Sequence, residues 1–85
     1  MDIDIVFQES QKNIREKLTN LDTNSLLKLY GLYKQGTVGN NIYEEPNIFF
    51  FKEYCKWESW NKYQNVSQNK AKKKFIKYAY NLLSS

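Results

Sequence analysis

The stretch TNSLLKLYGLYKQGTVGNN, Thr23 to Asn41, decides how this chain folds. Its first part sets Leu26, Leu27, Leu29, Tyr30, Leu32 and Tyr33 at the spacings of an amphipathic helix, with Thr23 placed to cap it, because a hydroxyl there can satisfy an orphan backbone N–H. Its second part brings Gly36 and Gly39 together with Asn40 and Asn41, residues that tolerate turn conformations, and Pro46 follows. A helix that gives way to a long irregular connection, over about residues 38 to 49, is predicted.

Outward from that stretch the chain keeps the same character. On the N-terminal side, Ile3, Val6, Phe7, Ile14, Leu18 and Leu21 recur at three, four and seven residues and define a first helix. On the C-terminal side, Phe51, Tyr54, Cys55, Trp57 and Trp60 spread aromatic rings around a third helix, and Asn65 interrupts it. Ser67 then caps a fourth helix, whose apolar face is Ala71, Phe75, Tyr78, Ala79 and Leu82, with Lys70, Lys72, Lys73, Lys74 and Lys77 mostly on its other sides. The chain has 85 residues, which is one small domain, so residues 1–85 are expected to form a single all-α, four-helix unit. With 41% hydrophobic and 16% aromatic residues it has the apolar surface for a core.

Composition excludes much chemistry. The sequence contains no His and a single cysteine, Cys55, so neither a Ser-His-Asp triad, a Cys-His pair, a Cys/His zinc site nor an internal disulfide can be assembled. Neither GxGxxG nor GxxxxGK[ST] occurs, and the adjacent Glu44 and Glu45 read as solvated loop carboxylates. No enzyme and no cofactor are expected. The acids of Met1-Asp2-Ile3-Asp4 do not suit a secretory signal, no run approaches the roughly 18 apolar residues that span a bilayer, and a lone thiol suits the cytoplasm. A formal charge of +4 suggests an anionic partner without naming one, and solubility is the simpler account of a charge this modest.

Two residue groups have the means to hold such a partner. Tyr30, Tyr33 and Lys34 stand at i, i+3 and i+4 and share a helix face, which combines a charged donor for phosphate with flat rings for stacking. Lys56 and Trp60 repeat the combination on the third helix, beside Trp57. Spacing alone leaves a second account open for each, in which the rings edge the core and the lysines are solvated or lie over an indole.

The ordered pattern YGLYKQGTVGN from Tyr30, Pro46, and KWESWN from Lys56 to Asn61 closely resembles the acyl-CoA-binding protein family. The likeness continues through Leu26 and Leu27 and on to Ser67, Ala71, Phe75 and Ile76, and is weakest before Asp22. It implies a four-helix bundle of up-down-down-up order with an overhand connection between the second and third helices. It further implies that Tyr30, Lys34 and Lys56 meet the phosphates of a CoA head, above all the ribose 3'-phosphate. Tyr33 would lie beside the adenine, with Gln11 and Arg15 near it from the first helix, while Leu26 and Leu27 would line the groove for the acyl chain.

The expected function is non-catalytic binding, buffering and transport of medium- to long-chain acyl-CoA by a cytoplasmic monomer that hands its ligand to acyl-CoA-using enzymes. Departures from the family pattern also stand out. Phe75 replaces a tyrosine whose hydroxyl contacts the CoA moiety, Glu45 replaces a basic residue and weakens the positive field, and Gly36 and Asn47 change the flexibility of the connection. Two other partners remain as alternatives: nucleic acid for the Lys70 to Lys77 run, which a solvated face explains more simply, and transient membrane contact through Phe49, Phe50 and Phe51 beside Lys52, for which core packing of some rings is the simpler reading.

Overall fold

The computed structural model describes residues 2–84, and four α-helices with one short 3-10 turn make up its regular structure. They are α1, Ile3–Arg15; the 3-10 turn, Leu18–Asn20; α2, Thr23–Thr37; α3, Phe51–Asn61; and α4, Gln68–Ser84. The predicted all-α class and the irregular second connection are both present, and the latter runs over residues 38–50.

Two helix ends differ from the sequence reading. The apolar repeat that runs on to Leu21 spans two elements: α1 stops at Arg15, and Leu18 and Leu21 reach the core from the 3-10 turn and its end. At the start of α2 the cap is Asp22, not Thr23; its carboxylate accepts the backbone N–H of Ser25 at 2.8 Å. Hydrogen bonds from Ser25, side chain first and backbone second, hold this exposed carboxyl below its ordinary value. Its contribution to stability is therefore present above the ordinary carboxylate range and is lost as the pH falls through the lowered value. Ser67 does cap α4, its Oγ accepting from the backbone N–H of Lys70 at 3.1 Å.

Contacts between helices fix their directions. Asp4 pairs with Lys72 near the starts of α1 and α4, and the Lys17 ammonium reaches the Leu83 carbonyl just beyond α1 and near the end of α4, so these two helices run parallel. Ser25, early in α2, meets Tyr78 late in α4, whereas Gly36, late in α2, lies against Lys72, so α2 opposes α4. Leu27 shares a cleft with Phe51, and Gly31 touches Ser59 further along, so α2 and α3 run the same way. The order is up-down-down-up. Phe7, Ile14, Leu29, Leu32, Phe75 and Ala79 form the core inside it.

Where α2 crosses α3 the helices nearly touch. A Cβ on Gly31 would stand 2.3 Å from the carbonyl oxygen of Ser59 and 2.9 Å from the Tyr63 ring. Since Ser59 presents backbone, it cannot step aside without moving α3. Gly31→Ala is therefore expected to lose stability by about 1 to 3 kcal/mol, although alanine is the better helix former by about 1 kcal/mol. A denaturant midpoint equal to or above that of the parent chain would reject this close-approach role.

The connection is pinned by side-chain amides. Gln35, 1% exposed, donates to Asn40 Oδ1 at 2.9 Å and to the Val66 carbonyl at 2.8 Å. Asn40 Oδ1 also accepts the backbone N–H of Asn65, which has a positive φ of 70°, and Asn41 exchanges two hydrogen bonds with Gln64. Gly39 supplies the other left-handed residue, with φ at 96°. The result ties a segment with no secondary structure to the turn between α3 and α4.

Candidate functional site

α2 presents its Tyr30 face to the space between α1 and α3, and three depressions meet there. The first, about 290 Å³, is bounded by Gln11 and Arg15 of α1, Leu26, Tyr30 and Tyr33 of α2, and Phe75 of α4. The second, about 350 Å³, lies between the starts of α2 and α3 and is lined by Leu26, Leu27, Tyr30, Phe51, Cys55 and Lys56 among others. The third, about 250 Å³, lies under the connection and includes Lys34, Tyr43, Glu44, Glu53, Lys56 and Trp60. Tyr30 borders all three. An apolar groove thus opens directly onto an aromatic cleft lined by two lysines, Lys34 and Lys56, and two glutamates, Glu44 and Glu53.

The cations are seated on rings. Lys34 Nζ lies 4.8 Å from the centre of the Trp60 ring, and Lys56 Nζ lies 5.0 Å from that of Tyr30. The alternative left open by the spacing, a lysine lying over an indole, is met by Lys34 and not by Lys56: Lys56 crosses from α3 to a tyrosine of α2, and Lys34 crosses the other way to the indole. Such contacts keep the ammonium groups extended toward the cleft while their charge stays accessible. Burial, and secondarily the charge of Glu53, push the Tyr30 hydroxyl above the ordinary phenol value, so it stays protonated and able to donate.

Trp60, 4% exposed, is fixed by donation of its Nε1–H to the Gly39 carbonyl at 2.8 Å, and Trp57 donates likewise to Tyr43. The connection is therefore fastened to α3 beneath the cations. Tyr33, 39% exposed, offers a ring face beside Gln11 and Arg15, with Phe7 behind it at 6.4 Å. Leu26 and Leu27 line the apolar groove.

The residues that the resemblance assigns to acyl-CoA, namely Gln11, Arg15, Leu26, Leu27, Tyr30, Tyr33, Lys34, Lys56 and Phe75, all line one or more of these three depressions. Phe75 is the most enclosed, 3% exposed and edge-on to Phe7, so it serves the core as well as the floor of the first depression. Glu44 and Glu45 are both exposed loop residues, as read from the sequence; Glu44 also borders the cleft that holds Lys34 and Lys56, whereas Glu45 lies outside its lining and acts on Tyr54. Gly36 is buried inside α2 against the Lys72 stem and Phe7, so its place is in packing rather than in the flexibility of the connection. Phe49, Phe50 and Phe51 do not pack into the core; they are 85%, 61% and 65% exposed. Sequence reasoning did not find Tyr43, Glu53 or Cys55 as lining residues. The i, i+3 spacing of Glu53 and Lys56 placed the glutamate within reach of the site, but nothing in the spacing announced the loop residue Tyr43.

A parallel pair of helices bearing a cationic rim, an aromatic shelf and an apolar groove is the architecture of a small helical domain for amphiphilic ligands. The chain belongs to the acyl CoA binding protein family, whose sequence profile matches residues 4–79. It is 46% identical to acyl-CoA-binding protein 2 of Saccharomyces pastorianus over 79 residues, 93% of this chain and 91% of that one. It is 45% identical to the acyl-CoA-binding protein of Saccharomyces cerevisiae over 71 residues, 84% of this chain and 82% of that one. Among solved structures, the crystal structure of Oryza sativa acyl-CoA-binding protein 2 superposes with a TM-score of 0.93 at 30% identity, covering 98% of this chain and 92% of that one.

Proposed function

We propose that this chain binds medium- to long-chain acyl-CoA esters without altering them, and buffers and carries them in the cytoplasm as a monomer that delivers to acyl-CoA-using enzymes. One observation carries the reading: the apolar groove and the cleft that holds Lys34 and Lys56 share Tyr30 and Lys56, as a ligand with a hydrocarbon chain at one end and phosphates at the other requires. In this reading Lys34, Lys56 and Tyr30 hold phosphate oxygens, Tyr33 stacks on the adenine with Gln11 and Arg15 at its edge, and Leu26 and Leu27 receive the chain. Each buried methylene contributes about 0.8 kcal/mol, so chain length governs affinity while the rim selects the CoA ester over a free fatty acid. Absence of any His leaves no general base of the usual kind, which supports carriage rather than reaction. Calorimetry with palmitoyl-CoA, free CoA and palmitate tests the proposal. The ester should bind far more tightly than either part, and comparable affinities for ester and fatty acid would overturn it.

Exposure of Ile48, Phe49, Phe50 and Phe51 beside the mouth of the apolar groove further supports transient contact with a bilayer during loading or release. Phe50→Asp should lower flotation with phosphatidylcholine vesicles several-fold. Equal flotation of the two proteins would exclude insertion through that ring.

A further inference from the structure

The other side of α2 carries a feature that the acyl-CoA reading leaves unused. Lys28 and Leu32 lie on the face of α2 turned away from Tyr30, and they share a depression of about 290 Å³ with Tyr63 and with Lys74, Lys77 and Tyr78 of α4. Three lysines from two helices thus line one cleft, and among the described residues no carboxylate does. Nothing on α4 neutralises them, since that helix has five lysines and neither Asp nor Glu, and among the described residues only Lys72 forms an ion pair.

The cleft is also partly pre-arranged. Lys28 Nζ stands 4.3 Å from the centre of the Tyr78 ring, and the Tyr78 hydroxyl is tied to Ser25 Oγ at 3.1 Å, so the ring and the ammonium above it are held together. Tyr63, half-buried, keeps its proton, because burial and then Tyr78 push its hydroxyl above the ordinary phenol value. Carboxylates carry one charge, whereas a phosphomonoester near neutral pH carries about −1.5 to −2 and three acceptor oxygens, which better suits a cleft lined by three lysines. We propose that this cleft between α2 and α4 is a second binding site, for the phosphate of a phosphomonoester whose organic part lies against Tyr63 and Tyr78.

Phosphate of this kind reaches a protein from a soluble metabolite or from the headgroup of a lipid, and two probes separate the sources. Phenyl phosphate titrated into isotopically labelled protein should shift the backbone amides of Lys28, Tyr63, Lys74 and Tyr78. In Lys74→Gln/Lys77→Gln, whose changes fall on exposed side chains, the dissociation constant read at those amides should rise about tenfold or more. Lys34→Ala/Lys56→Ala should leave it unchanged, which keeps this site separate from the one proposed above. In the second arm, flotation with dioleoylphosphatidic acid vesicles beyond that with phosphatidylcholine, lost in Lys74→Gln/Lys77→Gln but kept in the equally charged Lys12→Gln/Lys62→Gln, assigns the lipid source. Binding of phenyl phosphate at the cleft without such flotation assigns the soluble one. Silent cleft amides at millimolar phenyl phosphate together with no selective flotation would overturn the site, as would equal losses in both lysine pairs.

Discussion

Lys34→Ala/Lys56→Ala is expected to weaken palmitoyl-CoA binding by about 3 to 6 kcal/mol, two to four orders of magnitude in the dissociation constant, with the fold intact. The figure follows from two hydrogen bonds to charged phosphate, each contributing about 1.5 to 3 kcal/mol when the partner is ionised. Because both ammonium groups border one cleft, the paired loss need not equal the sum of the single losses, and a double-mutant cycle reports how far they share a phosphate. Stability should change little: Lys34 is half-buried and Lys56 exposed, and each gives up one cation–π contact of about 0.5 to 1 kcal/mol. Calorimetry separates the site from general charge. Free CoA should lose as much as the ester does, while palmitate should be unaffected because its contacts lie in the groove. Retained affinity in the folded double variant would remove both lysines from the proposed phosphate rim.

How much of this was legible in the sequence depended on the range of the interaction concerned. Apolar periodicity is local, and it located all four helices and the exposed faces of α2 and α4. Helix ends were less legible because caps are chosen among neighbours: Asp22 and Thr23 both offer an oxygen, and the backbone turn selects the aspartate. The connection was predicted as irregular from Gly36, Gly39 and Asn40, but not that it is clamped. That clamp uses side-chain amides bridging 25 and 31 residues, which no local pattern encodes. Phe49 to Phe51 show the converse error. Three successive aromatic rings suggest burial by hydrophobicity alone, yet a run at the first turn of α3 and just before it cannot direct all its members to one side.

The candidate site divides in the same way. Tyr30, Tyr33 and Lys34 were found from helical spacing, since residues on one helix face need no tertiary information. Lys56 could be brought to Tyr30 only by the parallel packing of α2 and α3, and in the sequence it was joined to that group by family resemblance rather than by physics. The exchange of rings, Lys34 onto Trp60 and Lys56 onto Tyr30, is likewise a property of the helix crossing. Gly31 permits that crossing by letting α2 approach the Ser59 carbonyl. The cleft at Lys28, Lys74 and Lys77 was visible in sequence only as a lysine run with a solvated explanation. Convergence with Lys28 across α2 and α4 gives it a shape.

Trp60→Ala is expected to destabilise the chain by about 3 to 5 kcal/mol, the usual cost of emptying a buried indole site, and to lower the melting temperature by about 12 to 40 °C. Burial at 4% exposure accounts for most of this, and the freed Gly39 carbonyl adds to it. The consequence reaches function because the same ring supports Lys34 on one side and lies 5.8 Å from Tyr43 of the connection on another. Affinity for palmitoyl-CoA measured well below the new melting temperature should therefore fall as well. Trp60→Phe divides the two contributions: it keeps an aromatic surface under Lys34 but cannot donate to Gly39, so its stability loss should be smaller while the connection loosens. Amide exchange within residues 38–50 reads that loosening directly. If exchange there is unchanged in Trp60→Phe, the Gln35–Asn40–Asn65 network, the Asn41–Gln64 pair and the Trp57–Tyr43 hydrogen bond hold the connection without it, and the indole's role reduces to packing beneath the cation.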